Sequence, residues 1–110
     1  MAGEAFNVRL YRLLRGGPMG RGTLLLTTRD RQTGEPHTVQ IGCTRDGDDF
    51  LVTPRISADK EPSWYRNLQA DPNVEVQSGG RRFHAQARVL SPEEAQKAGK
   101  SSPVVRLTAR

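Results

Sequence analysis

Cysteine occurs once and histidine twice in the 110 residues, and these scarcities remove most site chemistry at the outset. The single thiol, Cys43, forms no intrachain disulfide, so burial of apolar surface has to hold the fold. His37 and His84 are the only imidazoles, and no pair of Cys or His stands at metal-ligand spacing. No metal site is expected. A Cys–His nucleophile built with His37 fails on distance, because six positions along one strand separate it from Cys43, about 20 Å at strand rise; His84 could reach Cys43 only through an arrangement the sequence does not reveal. Cys43 reads as a core thiol. No apolar run approaches the roughly 20 residues that cross a bilayer, so any membrane contact is expected to be peripheral. No charged-then-apolar leader opens the chain, and a reduced, cytoplasmic protein is the expectation. A phosphate-loop or dinucleotide glycine pattern is also missing: "GGPMGRG" precedes a strand, which is the wrong context.

Positive charge is what the chain does have. Lys and Arg number 17 against 12 Asp and Glu, a formal charge of +5, which suits an anionic partner. Nucleic acid is one such anion, and "RRFHAQAR" supplies cations. Aromatic residues make up only 5% of the chain, however, and along a strand Arg82 and His84 share one face while Phe83 turns to the core. That leaves few stacking platforms, and no nucleic-acid partner is expected. The densest charge lies in "LLLTTRDRQTGEPHTVQI", Leu24 to Ile41. A hairpin turn there needs only Gly34 and Pro36. Arg29, Arg31, Gln32, Thr33 and His37 are surplus, either as solvated decoration or as a device for holding an anion.

The elements follow from periodicity and breakers. Phe6–Leu14 has helical spacing and ends at a glycine-rich stretch. Thr23–Thr28 and Thr38–Cys43 read as paired strands, with "TRDGDD" as a turn into Phe50–Thr53, together a three-strand meander. Asp59 or Lys60 to Ala70 reads as a helix with Pro62 in its first turn and Trp64 and Leu68 on one face. Asn73–Ser78 and Arg82–Leu90 flank a Gly79-Gly80 turn, "SPEEAQK" starts a short helix, and Val104–Thr108 closes as a strand. The expected fold is one mainly β domain (α+β) over residues 1–110: a small antiparallel barrel with helices over its openings.

Beyond these local readings, the segment Pro62, Trp64, Tyr65, Asn67, Leu68, Ala70, Pro72, Val74, Val76, spaced as P-x-W-Y-x-N-L-x-A-x-P-x-V-x-V, resembles the deazaflavin-dependent nitroreductase family. The likeness extends over about Thr23 to Arg110, with the hairpin "RDRQTGEPH" a looser match. The resemblance implies a flavin-reductase-like split β-barrel that binds coenzyme F-420, an 8-hydroxy-5-deazaflavin. It also implies hydride transfer from the reduced ring to an electron-poor small molecule: an enone, a quinone or a nitro compound. Such chemistry needs no protein nucleophile.

Carried onto this chain, the resemblance implies that Arg31, Gln32, Thr33 and His37 lie at the coenzyme's phosphate and acidic tail. Thr38, Val39, Gln40, Ile41 and Gly42 on the second strand are expected to contact the cofactor, and Thr53, Pro54 and Arg55 after the third strand to lie along the ring system. Ser63, Trp64, Tyr65 and Asn67 are expected on the helix facing the pocket, with Tyr65 and Ser63 as candidate proton donors. The chain departs from the family pattern at several points. Asp30 replaces a glycine, Gln32 a cation and His37 an arginine. Pro54 offers no N–H, Ile56-Ser57 replaces Gly-Gly, Gly42 replaces an aromatic, and "KAGKSS" replaces a tyrosine-bearing segment. Two alternatives therefore stand beside the enzyme: a non-catalytic barrel that binds a phosphorylated ligand or partner, and a flavin mononucleotide-binding relative. A homo-oligomer is compatible with either.

Overall fold

The computed structural model describes residues 22–58 and 60–110, so the expected Phe6–Leu14 helix lies outside the described residues. The described chain forms β1 (Thr23–Arg29), β2 (Pro36–Gly42), β3 (Thr44–Asp46), β4 (Asp49–Val52), α1 (Ser63–Ala70), β5 (Asn73–Ser78), β6 (Arg81–Val89), α2 (Pro92–Lys97) and β7 (Val105–Ala109).

All seven strands join one antiparallel sheet in the order β2-β1-β5-β6-β7-β4-β3. The two edge strands, β2 and β3, are separated in sequence by Cys43 alone. One nearly continuous stretch of chain thus serves both edges, and the sheet curls into a split barrel with Cys43 at the seam. Curling of this kind limits the exposed strand edge that would otherwise invite pairing with other chains. The Cys43 N–H is itself held by the Gly22 carbonyl at 2.8 Å.

Period-two alternation decides the inner face. Leu24 and Leu26 of β1, Val74 and Val76 of β5, Ala85 and Ala87 of β6, Val105 and Leu107 of β7, and Phe50 and Val52 of β4 form the main core, on which α1 lays Trp64, Tyr65 and Leu68. A second, smaller cluster joins Leu51, Leu90, Ala95 and Val104 beneath α2. Side chains as buried as Leu24 and Leu26, at 0% exposure, typically cost about 2–5 kcal/mol when cut to alanine.

Two expectations need correcting. The helix begins at Ser63, with Pro62 as its N-cap in an extended conformation and Lys60 outside it. Proline pushes its preceding residue, Glu61, out of the helical region, so the helix cannot grow backwards through it. The three-strand meander is also absent. β1 and β2 do form a hairpin, but "TRDGDD" contains a strand of its own, β3, which turns back on β4 around Gly47 at φ +63°. β4 then pairs with β7 instead of β2, in the register Phe50↔Leu107. That register buries both side chains, at 5% and 0% exposure.

Candidate functional site

The β1–β2 hairpin ends in a six-residue loop, Asp30 to Glu35, that closes on itself. The Asp30 N–H donates to the Glu35 carbonyl at 2.7 Å and the Gly34 N–H to the Asp30 carbonyl at 2.8 Å. Gly34 takes φ +79°, a left-handed conformation that only glycine adopts freely. The Asp30 carboxylate caps the loop from within: Oδ1 accepts from the N–H of Gln32 at 2.7 Å and of Thr33 at 2.8 Å, and Oδ2 lies 3.2 Å from His37 Nε2. The amides of Thr33 and then Gln32 hold the Asp30 pKa below the ordinary carboxylate value. Thr33 Oγ1 accepts from the Glu35 N–H at 3.2 Å, and Arg29 donates from Nη1 to the Gly34 carbonyl at 2.9 Å.

Asn67 connects this loop to α1. It is fully buried, and a buried amide without partners costs about 1–3 kcal/mol. Here its partners come from the loop and from β1. Oδ1 accepts from Arg31 Nη1 at 2.8 Å and from the Arg31 N–H at 3.3 Å, while Nδ2 donates to Thr28 Oγ1 at 3.2 Å. Thr28 is likewise buried, at 2% exposure. The chain Thr28–Asn67–Arg31 fixes where the guanidinium starts, and Arg31 itself remains exposed.

The other expected residues divide. Gln32, Thr33 and His37 lie with Arg31 around the loop. Along β2 the register places His37, Val39 and Ile41 on the inner face, opposite Thr28, Leu26 and Leu24, and Thr38, Gln40 and Gly42 on the outer one. Val39 and Ile41 pack against the core. Thr38 shares a hydroxyl hydrogen bond with Thr27 at 2.8 Å. Gly42 pairs with Thr23 at the far end of the strand from His37, about 17 Å away at strand rise. A Cβ there would meet only the Gly22 carbonyl, at 3.7 Å. Thr53 and Arg55 are exposed and Pro54 is buried. Trp64 and Tyr65 are both core residues at 7% exposure, their rings edge to face at 6.1 Å. Burial, aided by Glu61, raises the Tyr65 phenol pKa. Ser63 is exposed at the first turn of α1.

Two clefts flank the loop–helix unit. One of about 650 Å³ is bordered by Ile56, Lys60, Glu61 and Arg66, before and along α1. The other, about 420 Å³, opens where β1 and β5 part beyond Thr27↔Glu75 and takes in Arg29, Asp71 and His84. Thr28, Asp30, Lys60 and Arg66 were not among the sequence candidates. Thr28 was findable by parity, since it shares the inward face of Leu24 and Leu26; the cations depend on how the loop before α1 runs.

The model of the F420H(2)-dependent quinone reductase family matches residues 4–106. The chain belongs to this family. A relative in Mycobacterium tuberculosis named as an F420H(2)-dependent quinone reductase is 35% identical over 89 residues, covering 80% of this chain and 58% of the relative. The chain thus spans less than two thirds of that relative's length. Among solved structures, an F420-H2 dependent reductase superposes with a TM-score of 0.64 at 25% identity, covering 79% of this chain and 94% of its own. The heme storage protein HutZ of Vibrio cholerae superposes with a TM-score of 0.55 at 17% identity, over 94% of this chain and 88% of its own. At that identity the likeness is one of fold alone. The family resemblance read from the tryptophan-bearing helix therefore holds. Among the described residues no group of His, Cys, Asp or Glu is arranged to hold a metal, and no helix is long and apolar enough to cross a membrane.

Proposed function

We propose that this chain binds reduced coenzyme F-420 and passes hydride to a quinone or another electron-poor acceptor, with enones and nitro compounds in the same class. The observation that carries this is the Thr28–Asn67–Arg31 link. It joins the helix with the family's most specific motif to the loop with the surplus charge. The donor set fits a phosphate-bearing coenzyme. Arg31 keeps guanidinium N–H groups beyond the one given to Asn67, and the Thr33 hydroxyl, which accepts from Glu35, stands in the same loop beside the Asp30 carboxylate. A planar cation beside a hydroxyl suits phosphate.

When bound, the reduced deazaflavin supplies the hydride. The protein's part is orientation: Asn67 sets Arg31, Arg31 and Thr33 would hold the tail, and the cleft along α1 would be open to the ring. Lys60 and Arg66 beside the larger cleft add positive charge along that end. For the proton that follows hydride, exposure favours Ser63 or water over the buried Tyr65.

Difference spectra of the protein titrated with the coenzyme and with flavin mononucleotide at matched salt test the reading. Tighter binding of the deazaflavin is expected, and tighter flavin mononucleotide binding would reject it. The burial of Trp64 and Tyr65 in the core favours a second reading, a barrel that binds the phosphorylated ligand without turnover. Steady-state reduction of a water-soluble quinone separates the two: coenzyme binding without any oxidation of the reduced coenzyme selects the second.

A further inference from the structure

The loop that would receive the coenzyme's phosphate already holds an anion. Two backbone N–H groups, of Gln32 and Thr33, converge on one oxygen of the Asp30 carboxylate at 2.7 and 2.8 Å, and His37 Nε2 stands 3.2 Å from the other. Consecutive amides aimed at one point form a concave anion site. Asp30 fills it from the same turn, and the closing bonds Asp30 N–H to Glu35 and Gly34 N–H to the Asp30 carbonyl keep it there. The exposed Arg31 and Thr33 stand on either side of Gln32 in the same loop. An incoming phosphate therefore meets this cation and this hydroxyl together with a fixed negative charge, and the Gln32 and Thr33 amides are already taken.

We propose that Asp30 is a built-in competitor for the loop's anion site, setting how tightly the chain holds a phosphate-bearing ligand and favouring ligands with little charge at this point. The proposal rests on the reading that this loop receives the coenzyme's phosphate. Binding takes one of two courses. Either the carboxylate swings away and releases the Gln32 and Thr33 amides to the phosphate, or it stays and the ligand is held by Arg31 and Thr33 alone. Both weaken binding relative to a loop with a neutral residue at position 30.

The test is Asp30→Asn, whose side-chain oxygen can still accept from both amides while the charge is gone; Asp30→Ser serves if that variant does not fold. Affinity for coenzyme F-420 should rise about three- to tenfold, the scale of one exposed unit charge a few ångströms away. Affinity for the deazaflavin nucleoside that lacks the phosphate-bearing tail should stay the same. Unchanged or weaker coenzyme binding in a folded variant overturns the proposal, leaving Asp30 as a turn former. So does equal tightening for the nucleoside. Titration with inorganic phosphate, followed through the amide resonances of Gln32 and Thr33, reads the loop independently of the coenzyme. If neither parent nor variant binds the coenzyme, the functional reading fails; a phosphate response stronger in Asp30→Asn still upholds the competitor, and an equal response removes it.

Discussion

Asn67 is the residue on which fold and site meet. Its buried amide bonds Thr28 of β1 on one side and Arg31 of the loop on the other, so Asn67→Ala should act on both. Unpairing buried Thr28 and losing two bonds to Arg31 should lower stability by about 1–3 kcal/mol in a denaturant melt. Coenzyme affinity should fall with it, because Arg31 loses its anchor. Arg31→Ala makes a different split. Asn67 Oδ1 keeps only the longer bond from the Arg31 N–H, a stability loss of about 0.5–1.5 kcal/mol. Affinity should drop roughly ten- to a hundredfold with the loss of a charge-assisted contact. Arg29→Ala is the control, since its guanidinium bonds the Gly34 carbonyl. Equal losses in a titration of both variants would show a diffuse positive surface rather than a clamp. Arg31 and Asn67 were each legible as candidates in the sequence. Their contact was not, because 36 positions separate them and no local periodicity encodes a bond across that span. The role of Asp30 was equally hidden: replacing a glycine with an acid says nothing about which amides the acid will occupy.

Among the elements, α2 shows how a short helix is fixed by its first turn. Ser91 accepts from the Glu94 N–H while Glu94 Oε1 accepts from the Ser91 N–H, with Pro92 following the cap. This reciprocal pairing is a sequence-level signal, which is why "SPEEAQK" was legible. Ser91→Ala should cost about 1 kcal/mol in a thermal or urea melt. Glu94 also accepts from Arg88 at 3.0 Å; Arg88 first, then the Ser91 amide, pull its pKa from 4.5 down to about 2. A folded pKa below the unfolded one means that the group's contribution is complete above about pH 4.5 and is lost as pH falls towards 2. Urea melts between pH 5 and 2 should therefore show a shallower acid loss for Glu94→Gln than for the parent. The start of α1 and the partner of β4 were not legible in the same way. Pro62 is compatible with a first-turn or a capping position, and its own extended backbone, at ψ 147°, decides for the cap. β4 selects β7 through Phe50 and Leu107, a pairing that closes a long loop and leaves no trace in the local pattern.

For the whole molecule, the consequence of a curled sheet with its seam at Cys43 is uneven stability. β1, β5, β6 and β7 each pair on both sides and carry the main core. β3 has three residues, all exposed, and among the described residues its strand partner is β4 alone. Its second attachment is electrostatic. Arg106 of β7 donates from Nη2 to Asp46 at 2.7 Å and from Nη1 to Asp49 at 3.0 Å, bridging both arms of the β3–β4 hairpin to the barrel wall. The two carboxylates raise the Arg106 pKa, Asp46 first, so the guanidinium keeps its charge. Regions with few buried contacts open at lower free energy than the core, and their amides exchange first. Native-state hydrogen exchange should accordingly find β3 amides least protected among the strands and those of β1 and β5 near the global limit. Arg106→Ala should speed exchange in β3 and the Gly47 turn several-fold while leaving β1 and β5 nearly unchanged. If instead all strands lost protection together, the barrel would unfold as one unit and the seam would carry no separate opening. Coenzyme binding at the Arg31 loop adds a discriminating arm. That loop lies on the β1–β2 side of Cys43, so the ligand should protect β1 and β2 while leaving β3 exchange as it was.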